Sequence, residues 1–228
     1  GLMFGPVSAH EDFADGLAIP DPTRAADVTV RTVGDRALVV PTTPGAIGAV
    51  ALWDLATGRL EHDFTLLAQP RHVALDATGS HVLAATDRLL SLWNTDGALV
   101  AELGTQTEFV LPPVFSADGA YFAIAEKVEG AAPLVSVLRS SDASLVASSD
   151  GADGVEEWQL GPGARYFALL GPANVVRVLE TRRGTELVRL RHAAAVQRIV
   201  HTQDGSTLVT VDAAGAIVAW TFANGAAM

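Results

Sequence analysis

The stretch that decides the fold is VALWDLATGRL, residues 50–60: an apolar run ending in Trp53-Asp54, a polar turn closed by Gly58, and the start of a second run. Alone it reads as one hairpin. Set against the rest of the chain, it finds echoes in LSLWNTDGALV (90–100), VSVLRSSDASLV (135–146), VRVLETRRGTELV (176–188) and IVAWTFANGAA (217–227). A large apolar residue holds the same place each time, at Trp53, Trp93, Leu138, Leu179 and Trp220, with spacings of 40, 45, 41 and 41 residues. A period of this length is the signature of an array of supersecondary units.

A second marker keeps the same beat. A small turn motif precedes an apolar run in VGDRALVV, ATGSHVLAA, ADGAYFAIA, GPGARYFALL and QDGSTLVTV, with glycines at Gly34, Gly79, Gly119, Gly163 and Gly205. Glycine suits hairpin turns that need positive φ. Between markers each unit reads as four short strands, with almost no helical periodicity. The fold class expected is therefore all-β: a β-propeller of four-stranded antiparallel blades, about five repeats in number. An immunoglobulin-like sandwich does not explain a five-fold internal repeat. The expected organisation is an N-terminal extension over 1–27 and a propeller over 28–228, with repeats near 28–67, 68–107, 108–150, 151–192 and 193–228.

The final unit, RHAAAVQRIVHTQDGSTLVTVDAAGAIVAW (191–220), resembles the WD-repeat family. By position, His192 takes that family's histidine place, Thr210 its Ser/Thr place and Trp220 its tryptophan place. The aspartate place falls on Ala214, with Asp212 two residues earlier, so the resemblance implies a blade-locking hydrogen-bond network that is incomplete here. Trp53-Asp54 is a full Trp-Asp, Trp93-Asn94 is close, and Leu138-Arg139 and Leu179-Glu180 keep only the apolar anchor. The blades are degenerate. The family typically closes with seven blades, and five leave unpaired edges. Three arrangements stay open: a missing outer strand supplied by the N-terminal segment, a ring completed by another chain, or a true five-bladed ring. The incomplete or partner-completed ring is slightly favoured.

Composition bounds the partners. With 49% hydrophobic residues the 228-residue chain can bury a substantial core, and its formal net charge of -11 disfavours nucleic acid and anionic membrane. It has no cysteine, so thiolate metal sites and disulfides are excluded. The longest uncharged run, 37–53, is broken by Pro41, Pro44, Gly45 and Gly48, and no transmembrane segment is expected. The N-terminus lacks the features of a signal peptide, which favours the cytoplasm.

No nucleophile elbow, zincin motif, phosphate loop or dinucleotide fingerprint is present. No cofactor or metal is expected. Of the six histidines, His72 and His192 read as blade-locking or loop-capping residues, and no spacing matches zinc. The acidic stretch SSDGADGVEE (148–157) fits a calcium loop badly and reads as a solvated connection. Against the acidic background, Arg177, Arg182, Arg183, Arg189, Arg191 and Arg198 fall within 22 residues, which makes Arg182, Arg183, Arg189, Arg191 and Arg198 candidates for docking an acidic partner. Trp158 is the one tryptophan off the anchor position: a core residue if buried, a binding hot spot if exposed. The expected function is a non-catalytic protein-protein interaction scaffold. Its partner is a protein, or another domain or chain of a larger assembly, with self-association through open edges also in view. The alternative is a propeller hydrolase, or a sugar- or small-ligand-binding protein with a polar site at the channel mouth.

Overall fold

A computed structural model of the chain describes residues 28–41, 49–151, 155, 157–171, 175–202, 206–223 and 226–227. The expected N-terminal extension and Gly205 lie outside them. Among the described residues no helix is long and apolar enough to cross a membrane. The chain forms five sheets, each a four-stranded antiparallel meander in sequence order. Blade one comprises β1 (Val28–Val33), β2 (Arg36–Pro41), β3 (Ala49–Asp54) and β4 (Arg59–Thr65). Blade two comprises β5 (His72–Leu75), β6 (His81–Ala85), β7 (Leu89–Asn94) and β8 (Leu99–Gly104). Blade three holds β9 (Val114–Phe115), β10 (Tyr121–Glu126), β11 (Leu134–Arg139) and β12 (Leu145–Asp150). Blade four holds β13 (Glu157–Leu160), β14 (Tyr166–Gly171), β15 (Val175–Glu180) and β16 (Glu186–Arg191). Blade five holds β17 (Val196–His201), β18 (Thr207–Asp212), β19 (Ile217–Ala223) and a two-residue β20 (Ala226–Ala227).

The first strands lie side by side in the order β1, β5, β9, β13, β17, and Ser116 bridges Leu160 in the parallel sense between blades three and four. They form the inner wall. Among the described residues β17 does not pack on β1 as the other neighbouring first strands pack on one another, and these residues form no closed ring.

The core sits between blades. In blades two to four the second and third strands are largely apolar on both faces because one face packs on the preceding blade and the other on the following one. Leu38, Val40, Val50 and Leu52 of blade one meet Val82, Ala84 and Trp93 of blade two. Leu83, Ala85, Leu90 and Leu92 meet Phe109, Phe122, Ile124 and Leu138. Ala123, Ala125, Val135 and Val137 meet Trp158, Leu160, Phe167 and Leu179. Ala168, Leu170, Val176 and Val178 meet Ile199, Leu208 and Trp220. The anchors Trp93, Leu138, Leu179 and Trp220 thus all insert into the blade before their own. Each fully buried large apolar side chain contributes roughly 1.5–3 kcal/mol, so these interfaces hold the array together.

In the first four blades the residue pairing between the third and fourth strands slips by one beside the anchor: at Leu52/Trp53, Leu92/Trp93, Val137/Leu138 and Val178/Leu179. This recurring β-bulge twists the outer strand and directs the anchor inward. The turns that follow are capped by side-chain oxygens, as where Asp54 accepts from the Ala56 and Thr57 amides at 2.8 and 3.1 Å.

On the rim that carries the first-to-second and third-to-fourth strand turns, the residue opening the second strand of blades one and four reaches into the next blade. Arg36 pairs with Glu61 at 2.9 Å and donates to Thr95 at 3.2 Å and to the Gly79 carbonyl of blade two. Tyr166 faces His201 of blade five, with ring centroids 5.2 Å apart. The turn glycines Gly34, Gly79, Gly119 and Gly163 all have positive φ. Gly119 is doubly required, because a Cβ there would lie 2.7 Å from Oδ2 of the buried Asp76 in the neighbouring blade.

Candidate functional site at the channel mouth

The inner wall encloses a cavity of about 440 Å³ lined from all five blades, including Arg31 of β1, Arg71 and His72 at the head of β5, Glu157 and Gln159 of β13 and Arg198 of β17. In a sequential meander, the fourth strand returns to the next first strand at the end opposite the first-to-second turns. Pro70, Arg71 and Pro112, which enter β5 and β9, therefore place this cavity at the return-loop end of the channel.

The mouth is basic within an acidic chain: three arginines against one carboxylate. Arg31 and Arg198 are exposed, and Arg71 forms an ion pair with Asp87. Burial, with the nearby Arg71 charge adding to it, pushes His72 below the ordinary histidine range, so the imidazole is neutral at physiological pH. Burial lifts the Glu157 carboxyl above its usual range, while the Arg198 charge, the Ile199 amide and the Gln159 side chain pull it back. Glu157 is thus an engaged carboxylate, whereas the sequence reads its stretch as solvated. Other members of that stretch, 152–154 and 156, lie outside the described residues.

The arginine run does not form one patch. Arg182 and Arg183 are exposed on the β15–β16 turn, at the end of the channel opposite Arg198. Arg189 and Arg177 are opposite one another on adjacent strands and both bind Glu186, at 2.9 and 2.7 Å. The two arginines hold that carboxyl down at about 2. Arg191 is exposed on the same outer strand. Only Arg198 reaches the mouth. Arg31 and Arg71, which join it there, escape a search for local charge runs because each comes from a different repeat. Their signal is positional: each is on, or at the head of, a first strand.

Trp158 is 2% exposed, and its indole donates to the Pro112 carbonyl at 2.7 Å. Its side chain ties blade four to blade three, so the partner hot spot considered for it does not hold.

The blade-locking network implied by the WD-like motif survives in part. Trp220 Nε1 donates to Thr210 Oγ1 at 2.9 Å, and the Thr210 hydroxyl faces the Val218 carbonyl at 3.3 Å. The His192 ring lies edge-on to Trp220, 5.8 Å away, with its Nε2 buried and without a partner. Asp212 instead caps its own turn, accepting from the Ala214 and Ala216 amides at 3.0 and 2.9 Å. The strand pairing explains why this network is confined to blade five. Thr210 pairs with Val218, two positions along from the Leu208–Trp220 pair, and the same step in the other blades falls on Val39, Ala84, Ile124 and Leu169. Those residues carry no hydroxyl, and Trp53 Nε1 is buried without a partner.

Among the described residues no three His, Asp or Glu side chains gather where they could hold a metal ion. No family model matches the chain, and no curated protein matches it. Solved structures do. The β-propeller domain of Cps50 (Swd1) from Myceliophteria thermophila superposes with a TM-score of 0.62 at 13% identity, over 86% of this chain and 65% of that one. Hsv2p from Kluyveromyces lactis superposes with a TM-score of 0.62 at 15% identity, over 85% of this chain and 61% of that one. The fold is a WD-repeat-like β-propeller, and the chain spans less than two thirds of the length of either structure.

Proposed function

We propose that the chain is a non-catalytic protein-interaction scaffold whose basic channel mouth receives an acidic segment of a protein partner. The observation that carries this is the convergence of Arg31, Arg71 and Arg198 from three blades on one cavity in a chain of net charge -11. Guanidinium groups suit carboxylates because they offer several donors in a fixed plane. Side chains set on a rigid array bind without first losing much conformational freedom. Asp87 pairs with Arg71 and the Arg198 charge acts on Glu157, while Arg31 Nη1 donates to the Val30 carbonyl at 3.3 Å.

A fluorescein-labelled hexaglutamate peptide serves as the probe, with anisotropy read at low and at physiological salt. Binding is expected at low salt and should weaken as salt screens it. Reversing Arg31 or Arg198 to Glu should reduce affinity roughly tenfold, whereas reversing Arg182 at the far end should not. No binding, or equal loss from all three variants, refutes the proposal.

A further inference from the structure

The cavity at the channel mouth is larger and less polar than carboxylates alone would require. Its volume of about 440 Å³ falls within the range of roughly 300–1,000 Å³ in which whole ligand groups are held. Exposure sorts its lining. Arg31, Arg71 and Arg198 are exposed, so their guanidinium groups stand at the entrance. Val40, Pro70, Pro113 and Trp158 are buried and Val73 and Val114 are half-buried, so the apolar wall lies deeper. Val73 and Val114 also pack against the inter-blade cores, which holds them in place.

Several features let this wall be covered at little cost. Pro70, Pro112 and Pro113 have no N–H to leave dry. The Pro112 carbonyl accepts from the Trp158 indole at 2.7 Å, so both groups are already satisfied. His72, neutral at physiological pH, adds no charge. The one carboxylate in the lining, Glu157, is half-buried, and burial lifts it above its usual range. A second carboxylate driven in beside it would lose its water and meet like charge, whereas an apolar side chain would suffer neither.

We propose that the mouth recognises an acidic segment with a large apolar side chain at its centre: the flanking carboxylates meet the rim arginines, and the apolar side chain enters the cavity between them. This extends the acidic-segment reading of the same site, on which it rests, by a second determinant that salt does not screen. The charges set where the segment lands, and the apolar group sets which segment stays.

The test compares two fluorescein-labelled peptides of equal charge by anisotropy: one with phenylalanine between two triglutamate arms, the other with serine in that place. The phenylalanine peptide should bind the unaltered chain about tenfold or more tightly. That ratio should persist at physiological salt while both affinities fall. Val114→Gln and Val73→Gln should bring the ratio close to one, whereas Arg31→Glu should weaken both peptides alike and leave the ratio unchanged. Equal binding of the two peptides to the unaltered chain overturns the apolar determinant and leaves the acidic reading standing, and it decides the matter even where a variant does not fold. A ratio that survives in folded Val114→Gln and Val73→Gln puts the contact elsewhere and also overturns it. If phenylalanine between two triserine arms binds as tightly as its triglutamate counterpart, the acidic reading fails and this proposal with it.

Discussion

Two opposite substitutions test the one polar lock that links the blades' sequence to their stability. Thr210 is fully buried and accepts from Trp220 Nε1 at 2.9 Å while facing the Val218 carbonyl at 3.3 Å. Thr210→Val keeps the shape but leaves the indole N–H without an acceptor, an expected loss of about 1–2 kcal/mol. Blade one has the complementary defect. Trp53 is 7% exposed with an unpartnered Nε1, and Val39 stands where blade five has Thr210. Val39→Thr should supply the missing acceptor and let the hydroxyl donate to the Ala51 carbonyl. Two hydrogen bonds against the desolvation of one hydroxyl give an expected net gain of about 1 kcal/mol. The assay is urea unfolding followed by tryptophan fluorescence, with an unchanged slope marking a true stability effect. The melting temperature should move by about 2–4 °C per kcal/mol in a chain of this size. The sites lie in blades one and five, so the double variant should be additive within about 0.5 kcal/mol. A neutral Thr210→Val, or a Val39→Thr that destabilises, refutes the positional equivalence drawn from strand pairing.

Ala143 adopts φ +55° where the matching turns of blades one and four carry Gly58 and Gly184. Ala143→Gly should therefore gain about 0.5 kcal/mol in thermal unfolding, the relief of a left-handed alanine less the added freedom of the unfolded chain. Gly184→Ala should lose at least about 1 kcal/mol, because its Cβ would also lie 2.9 Å from Ser149 Cβ. Burial pushes His201 down to about 4, so the folded state resists a proton that the unfolded state accepts near 6.5. Its contribution is fully present above pH 6.5 and is lost as pH falls toward 4, by about 3 kcal/mol. Tyr166, its ring neighbour, is pushed up to about 12 and stays neutral throughout. His201→Asn should flatten denaturation midpoints across that window, and an unchanged slope would contradict the assignment. Arg36→Ala should loosen blade one from blade two, seen as faster amide exchange in β1 and β2 with little change in blade five.

The array was legible because packing writes it twice. An anchor must fill the preceding blade and a turn must reverse the chain, so Trp53, Trp93, Leu138, Leu179 and Trp220 keep a period that the turn glycines share. The bulges beside the anchors left no trace, since a one-residue slip between the third and fourth strands depends on pairing rather than on residue type. The mouth was hidden for a related reason. Arg31, Arg71 and Arg198 are far apart in the chain and meet only where the first strands gather, while the conspicuous run from Arg177 to Arg198 is divided among the far-end turn of blade four, an ion-paired cluster around Glu186 and β17 of blade five. The incomplete lock could be read from Ala214 at the aspartate place, but the role of Asp212 as a turn cap required the geometry of its amide bonds.

Ile217 is 71% exposed where its counterpart Val176 in blade four is fully buried, and the absence of cysteine makes the contrast directly measurable. Single cysteines at Ile217 and at Val176, equivalent places on blades five and four, are reacted with a maleimide under native conditions. The thiol of Ile217→Cys should label at close to the rate of a free thiol, while that of Val176→Cys should be protected by roughly a hundredfold or more. Equal protection of the two would mean that the ring is closed, and equal labelling would mean that the blades do not stack as described.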